Sequence, residues 1–214
     1  DGIFDSVAFS PDGETLVTGD LRAGQVFLWH VDLSDPNFGH QIDSLVGFDT
    51  CVESLAFSPD GKLLGAALCG DEIRLWNVDS GSPDYGELLV SLTGHGWWVL
   101  NIAFSADSHQ LASVAGWDET ALVWDVDPDS QTFGEQISSP LQHGHFVDSV
   151  AFSPDGDILA VGTGDGTIRF WDMTLGTLPR VEREYLEGQS RQSIPHPLEK
   201  VLLGHTGIVE GAAF

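Results

Sequence analysis

Four groups of residues in this chain have the types and spacing for chemistry. His95, Ser113 and Asp118 offer a base, a nucleophile and an orienting acid within one short stretch, the set an acyl-transfer hydrolase uses. His143-Gly144-His145 places two imidazoles two residues apart, a spacing open to a metal pair. The run Asp125-Val126-Asp127-Pro128-Asp129 opens like a calcium loop, but Ser130 stands where the sixth-position glycine belongs and Gln136 where the twelfth-position glutamate belongs. Cys51 and Cys69 are the two cysteines. No second ligand set accompanies any of these, and no glycine-rich loop leads into a helix to cradle phosphate. The residues therefore predict no catalytic centre, no metal and no cofactor.

Composition narrows the partners. Asp and Glu number 33 against 8 Lys and Arg, a formal charge of −25 over 214 residues. So negative a surface repels phosphate and argues against nucleic acid. Apolar runs are too short for a membrane span or a secretory leader, so the expectation is a cytoplasmic protein with no membrane contact. The 42% apolar content is ample for a core. Most of the acids are Asp, a residue of turns, which points to many short strands.

The elements that must position these residues repeat. Ala8-Phe9-Ser10-Pro11-Asp12-Gly13 returns as Ala56-Phe57-Ser58-Pro59-Asp60-Gly61 and as Ala151-Phe152-Ser153-Pro154-Asp155-Gly156, with a decayed copy at Ala103-Phe104-Ser105-Ala106-Asp107-Ser108. Trp29, Trp76, Trp124 and Trp171 keep step at intervals of 47, 48 and 47 residues. Gly94-His95, Gly144-His145 and Gly204-His205 form a third landmark, with Gly47-Phe48 in the earlier slot. Each unit reads as four strands: one ending in Ser-Pro-Asp-Gly, a second, a third closing on the tryptophan, and a less regular fourth. With Phe57 facing Leu63 across the Ser58–Gly61 hairpin, Cys51 and Cys69 fall opposite each other. A disulfide is within reach there, but reduced thiols are the expectation for a cytosolic protein.

These landmarks resemble the WD-repeat family of β-propellers, in which each four-stranded repeat forms one blade. The closing dipeptide stands as Trp124-Asp125 and Trp171-Asp172, and drifts to Trp29-His30 and Trp76-Asn77. The resemblance implies an all-β propeller region: blade 1 at about 1–47, blade 2 at 48–94, blade 3 at 95–144, blade 4 at 145–204 with an insertion at 178–197, and the start of a fifth at 205–214. Four blades are few for a family that favours about seven, so the expectation is a segment of a larger propeller, able to self-associate through open blade edges. The period exceeds the usual length because of an aromatic-Gly pair, Phe38-Gly39, Tyr85-Gly86 and Phe133-Gly134, read as a turn whose aromatic packs on the blade's outer edge. The insertion holds Arg180, Arg183 and Arg191 between prolines and reads as a surface loop.

The same resemblance reassigns the apparent triad. In the family a His ahead of the first strand, a Ser or Thr on the second, an Asp in the following turn and the third-strand Trp form a buried hydrogen-bond network. Blade 3 carries it as His95, Ser113, Asp118 and Trp124, with one extra residue between Ser113 and Asp118; blade 4 carries His145, Asp165 and Trp171, with Val161 in place of the hydroxyl. A set that decays from blade to blade reinforces structure, since catalysis tolerates no missing member.

Family resemblance also implies a contact face, made by the loop before each first strand and the turn between second and third strands. The residue ahead of the first-strand valine points onto it: Cys51, Trp98, Phe146 and Ile208. Trp97 and Trp117 join Trp98 in blade 3, and His143 with Phe146 rims the patch. Two readings stand for the trio, a partner-binding surface or, for Trp98, a cap on the blade core. The functional expectation is a non-catalytic protein-interaction scaffold or sensor module, with a basic protein among the partners its charge admits; the alternatives are a carbohydrate- or small-ligand-binding propeller using Trp97, Trp98 and Trp117, or a propeller enzyme. Eight acids belong to the repeat, Asp12, Asp60, Asp107 and Asp155 in hairpins and Asp118, Asp125, Asp165 and Asp172 in the blade motif. The remainder suit high salt or a basic partner.

Overall fold

A computed structural model describes residues 4–20, 25–45, 50–174 and 200–203. Gly47-Phe48, the 178–197 insertion, Gly204-His205 and the strand expected from Ile208 to Phe214 lie outside these residues. The described chain is all-β and builds four antiparallel four-stranded sheets, each in sequential order. Blade 1 comprises β1 (Phe4–Phe9), β2 (Thr15–Asp20), β3 (Val26–His30) and β4 (Gln41–Leu45). Blade 2 comprises β5 (Val52–Phe57), β6 (Leu63–Leu68), β7 (Glu72–Asn77) and β8 (Leu88–Thr93). Blade 3 comprises β9 (Val99–Phe104), β10 (Gln110–Ala115), β11 (Thr120–Asp125) and the short β12 (Leu141–Gln142). Blade 4 comprises β13 (Val147–Phe152), β14 (Ile158–Thr163), β15 (Thr167–Asp172) and β16 (Lys200–Leu203).

The Ser-x-Asp-Gly segments close the first hairpin of every blade in the same way. Ser58 Oγ donates to Asp60 at 2.6 Å and accepts the Leu63 N–H at 2.9 Å; Ser105 repeats this with Asp107 at 2.6 Å and the Gln110 N–H at 2.9 Å. Gly13, Gly61 and Gly156 end the turn in the left-handed region, and Ser108 is forced there at φ 66° where blade 3 has lost its glycine. In the aromatic-Gly turns all three glycines also have positive φ. Tyr85 and Phe133 pack against the cores between blades rather than only on an outer edge, whereas Phe38 is 49% exposed.

The core lies between blades. One cluster joins blades 1 and 2 through Val17, Leu28, Val52, Leu55 and Trp76; a second joins blades 2 and 3; a third joins blades 3 and 4 through Ala112, Val123, Val150, Leu159 and Trp171. Leu111 faces one neighbour and Ala112 the other, so the two-residue period of a strand feeds two cores. That is why β6 and β11 are buried at every position. Each fully buried leucine contributes about 1.5–3 kcal/mol. First strands neighbour one another, and polar side chains bridge them: Ser6 Oγ accepts the Leu55 N–H at 2.8 Å, and Ser54 Oγ the Ile102 N–H at 3.4 Å.

Register departs from expectation by one residue. Phe57 pairs with Leu64 rather than Leu63, and a β-bulge between Val52 and Ser54 shifts the pairing back, so that Val52 meets Leu68. Cys51 and Cys69 are opposite each other because of that bulge, not because the hairpin register runs straight through.

Candidate functional site

Blade 3 assembles its polar set around His95, whose side chain is fully buried. Nδ1 lies 2.8 Å from Asp118 Oδ2 and Nε2 lies 2.7 Å from Ser113 Oγ. The Trp124 indole N–H donates to Ser113 Oγ at 2.8 Å. Asp118 also accepts the Gly96 N–H at 3.0 Å and, on its other oxygen, the Thr120 N–H and hydroxyl at 3.0 and 2.9 Å. A proton on Nδ1 serves Asp118, and Nε2 meets the Ser113 hydroxyl that already holds the indole N–H. Burial opposes the Asp118 charge, but the hydrogen bond and charge of His95, with Thr120, hold its pKa below the usual carboxylate range. The extra residue falls between Ala115 and Asp118, in the segment Gly116-Trp117, while Glu119 after Asp118 takes φ 59° as Gly166 takes φ 81° after Asp165.

The geometry imitates a hydrolase triad without its chemistry. Ser113 is 0% exposed, and its oxygen already holds the indole N–H and the imidazole. No carbonyl carbon can approach that oxygen.

Blade 4 corrects the sequence reading. His143, expected on the rim, is 2% exposed and accepts the Trp171 indole N–H on Nε2 at 3.1 Å. His145, expected in the buried network, has a side chain 51% exposed and pairs with Asp165 at 3.3 Å. Two facts cause the exchange. Val161 has no hydroxyl, so the indole needs another acceptor. Counted back from the first strand, His143 stands four residues before Val147, as His95 stands four before Val99. The Gly-His dipeptide is a false anchor here. Burial, reinforced by the nearby Arg169 charge, pushes the His143 pKa down to about 4, which keeps Nε2 free to accept. Asp165 is held at about 2: burial opposes its charge, but the Thr163 and Thr167 hydroxyls, the Thr167 N–H and His145 outweigh it.

The aromatic residues lie at the same end of blades 3 and 4 as these turns. Trp97 is 49% exposed, Trp98 50% and Trp117 68%. Trp117 meets Phe146 edge to face, with ring centroids 5.4 Å apart. Phe146 is half-buried in a seat that only glycine permits, since a Cβ on Gly116 would come within 2.3 Å of its ring. Asp118 pins the loop bearing Trp97 and Trp98 to the turn bearing Trp117 through its bond from Gly96. The Val99 N–H donates to the Gly70 carbonyl at 2.8 Å, which sets exposed Asp71 beside the Trp98 loop. Trp98 does not cap a core. Ile208 lies outside the described residues.

Cys51, also expected on this face, is joined to Cys69 in a disulfide with Cα atoms 5.2 Å apart. This replaces the expected reduced thiols. The Asp125 run is occupied internally as well, since the Asp125 carboxylate accepts from the Ser130 and Thr132 hydroxyls. Among the described residues, the one group of three or more that could hold a metal ion is Cys51, Glu53 and Cys69, which the sequence did not reveal.

The family model described as WD domain, G-beta repeat, matches residues 2–30, 39–77, 86–125 and 134–172. Each matched window ends on the residue after a third-strand tryptophan, Trp29, Trp76, Trp124 or Trp171. No curated protein matches the chain.

Proposed function

The chain belongs to the WD40 family, whose repeats generally serve as protein-interaction scaffolds and are typically non-catalytic, and from that premise we propose that its partner-binding face is the aromatic cluster of Trp97, Trp98, Trp117 and Phe146. The observation that carries the proposal is the exposure of three tryptophans, 49%, 50% and 68%, on two linked loops of one blade. Tryptophan is usually largely buried, and exposed clusters of it are enriched in binding hot spots. The occupant is a basic protein segment: the chain carries −25, and Arg or Lys side chains stack on indole faces. A finer version makes the protein a sensor module attached to a signalling effector, supported by the near-identical Ser-Pro-Asp-Gly turns seen in bacterial repeat arrays.

Affinity capture with the wild type and with a Trp97→Ala/Trp117→Ala variant tests the face. Identified partners should be lost in the variant while its circular dichroism stays unchanged; equal capture by both would refute the assignment. The exposed indoles also support a second reading, a glycan site, whose signature is tryptophan fluorescence quenched by a defined sugar in a glycan screen.

A further inference from the structure

Cys51, Glu53 and Cys69 each present one ligand atom, and these atoms lie within 4.8 Å of one another. Pairing explains the convergence. Cys51 stands just before β5 and Cys69 just after β6, and the Cys69 N–H donates to the Cys51 carbonyl at 2.9 Å. Glu53 is the unmatched residue of the bulge between Val52 and Ser54. A bulge re-aims its extra side chain, and Glu53 Oε1 comes to 2.9 Å from Cys69 Sγ. The other blades shift register at the same step, at Asp5, Leu100 and Asp148, but no cysteine flanks those positions. Blade 2 alone combines two sulfurs with a bulge carboxylate. All three residues are half-buried, so an ion can reach them from solvent.

We propose that this cluster, with its disulfide reduced, is a binding site for a thiophilic dication, zinc in the biological case. Zinc takes thiolate at about 2.3 Å and carboxylate at about 2.0 Å in a tetrahedral shell, which sets neighbouring ligand atoms about 3.5–3.8 Å apart. Two sulfurs and one oxygen fit that shell and leave the fourth position to water. Calcium and magnesium select all-oxygen shells and are excluded by the sulfurs. The disulfide is the competing state of the same atoms. A phosphine reductant breaks the S–S bond and takes an oxygen from water to become the phosphine oxide, while each sulfur gains a proton. Zinc then forms two Zn–S bonds and one Zn–O bond, and the two thiol protons leave to buffer.

The test titrates Cd2+, a spectroscopic stand-in for zinc, into the full chain with and without prior phosphine reduction, after removal of the phosphine. The expected result is a thiolate-to-metal charge-transfer band saturating at one equivalent in the reduced protein and absent in the oxidised protein. Zinc should compete the band away. Glu53→Gln should weaken binding by at least about tenfold, and Cys51→Ser/Cys69→Ser should abolish the band. The proposal fails if the reduced wild type gives no band, or if the oxidised protein gives the same one. The oxidised and reduced forms share one sequence, so this comparison holds even if a cysteine variant does not fold.

Discussion

His143 is the residue whose role changed most between sequence and structure, and it makes a pH prediction. Unfolded, it titrates near 6.5; folded, at about 4. Between those values the unfolded chain binds more protons than the folded one, so stability falls as pH falls through that window. The loss attributable to His143 is about 3 kcal/mol by pH 4. Urea midpoints measured from pH 7 to 4 should show a slope that flattens in His143→Gln. The neighbouring blade supplies the complementary test. Ser113→Ala strips the Trp124 indole and the His95 Nε2 of their shared partner, at a cost of about 2 kcal/mol. Val161→Thr should be tolerated, because its hydroxyl would occupy the place from which Thr18 accepts the Trp29 N–H at 3.0 Å. At this scale the blade 3 network was legible from residue types and offsets. The blade 4 histidine was not, because a dipeptide marks sequence while distance from the strand fixes position in space.

At the scale of elements, backbone conformation explains both what was legible and what was missed. Three of the four Ser-x-Asp-Gly turns announce themselves, since glycine supplies the left-handed residue each turn needs. The fourth uses Ser108, whose Oγ also accepts the Asp60 N–H of the neighbouring blade at 3.0 Å. Two substitutions separate these effects. Ser108→Ala loses the inter-blade bond and keeps the strained φ, so it should destabilise by about 1 kcal/mol. Ser108→Gly loses the bond but relieves the strain, and should exceed the alanine variant by about 1 kcal/mol in thermal or urea denaturation. Bulges were the illegible element. They add one residue to one strand without changing composition or period, so nothing in the sequence reported Glu53 as unmatched. The hairpin was expected one residue out of register, and the cysteine pairing survived because the bulge restored it.

Over the whole molecule, the apolar surface and the charge act together. Val7 and Phe9 are 62% and 64% exposed on blade 1. Their counterparts Leu55, Ile102 and Val150, and Phe104 and Phe152, are 3–9% exposed because a preceding blade covers them. If this face of β1 takes part in self-association, Val7→Asp/Phe9→Asp should reduce it in sedimentation at little cost in stability. The charge opposes that association at low salt. Among the described residues with described side chains, Lys62, Arg74 and Arg169 each stand beside an acid, Asp60, Glu72 and Asp165, which leaves the acidic surplus to repel itself. The Debye length shrinks from about 30 Å at 0.01 M salt to about 3 Å at 1 M. Screening should raise the melting temperature across that range if self-repulsion governs stability. Capture of a basic partner should weaken over the same range, because the attraction that draws it in is screened by the same ions. The two slopes have opposite signs, so one salt series read by calorimetry and by partner binding separates adaptation to salt from recognition of a basic partner. A melting temperature indifferent to salt, with partner affinity falling, would assign the surplus acids to recognition.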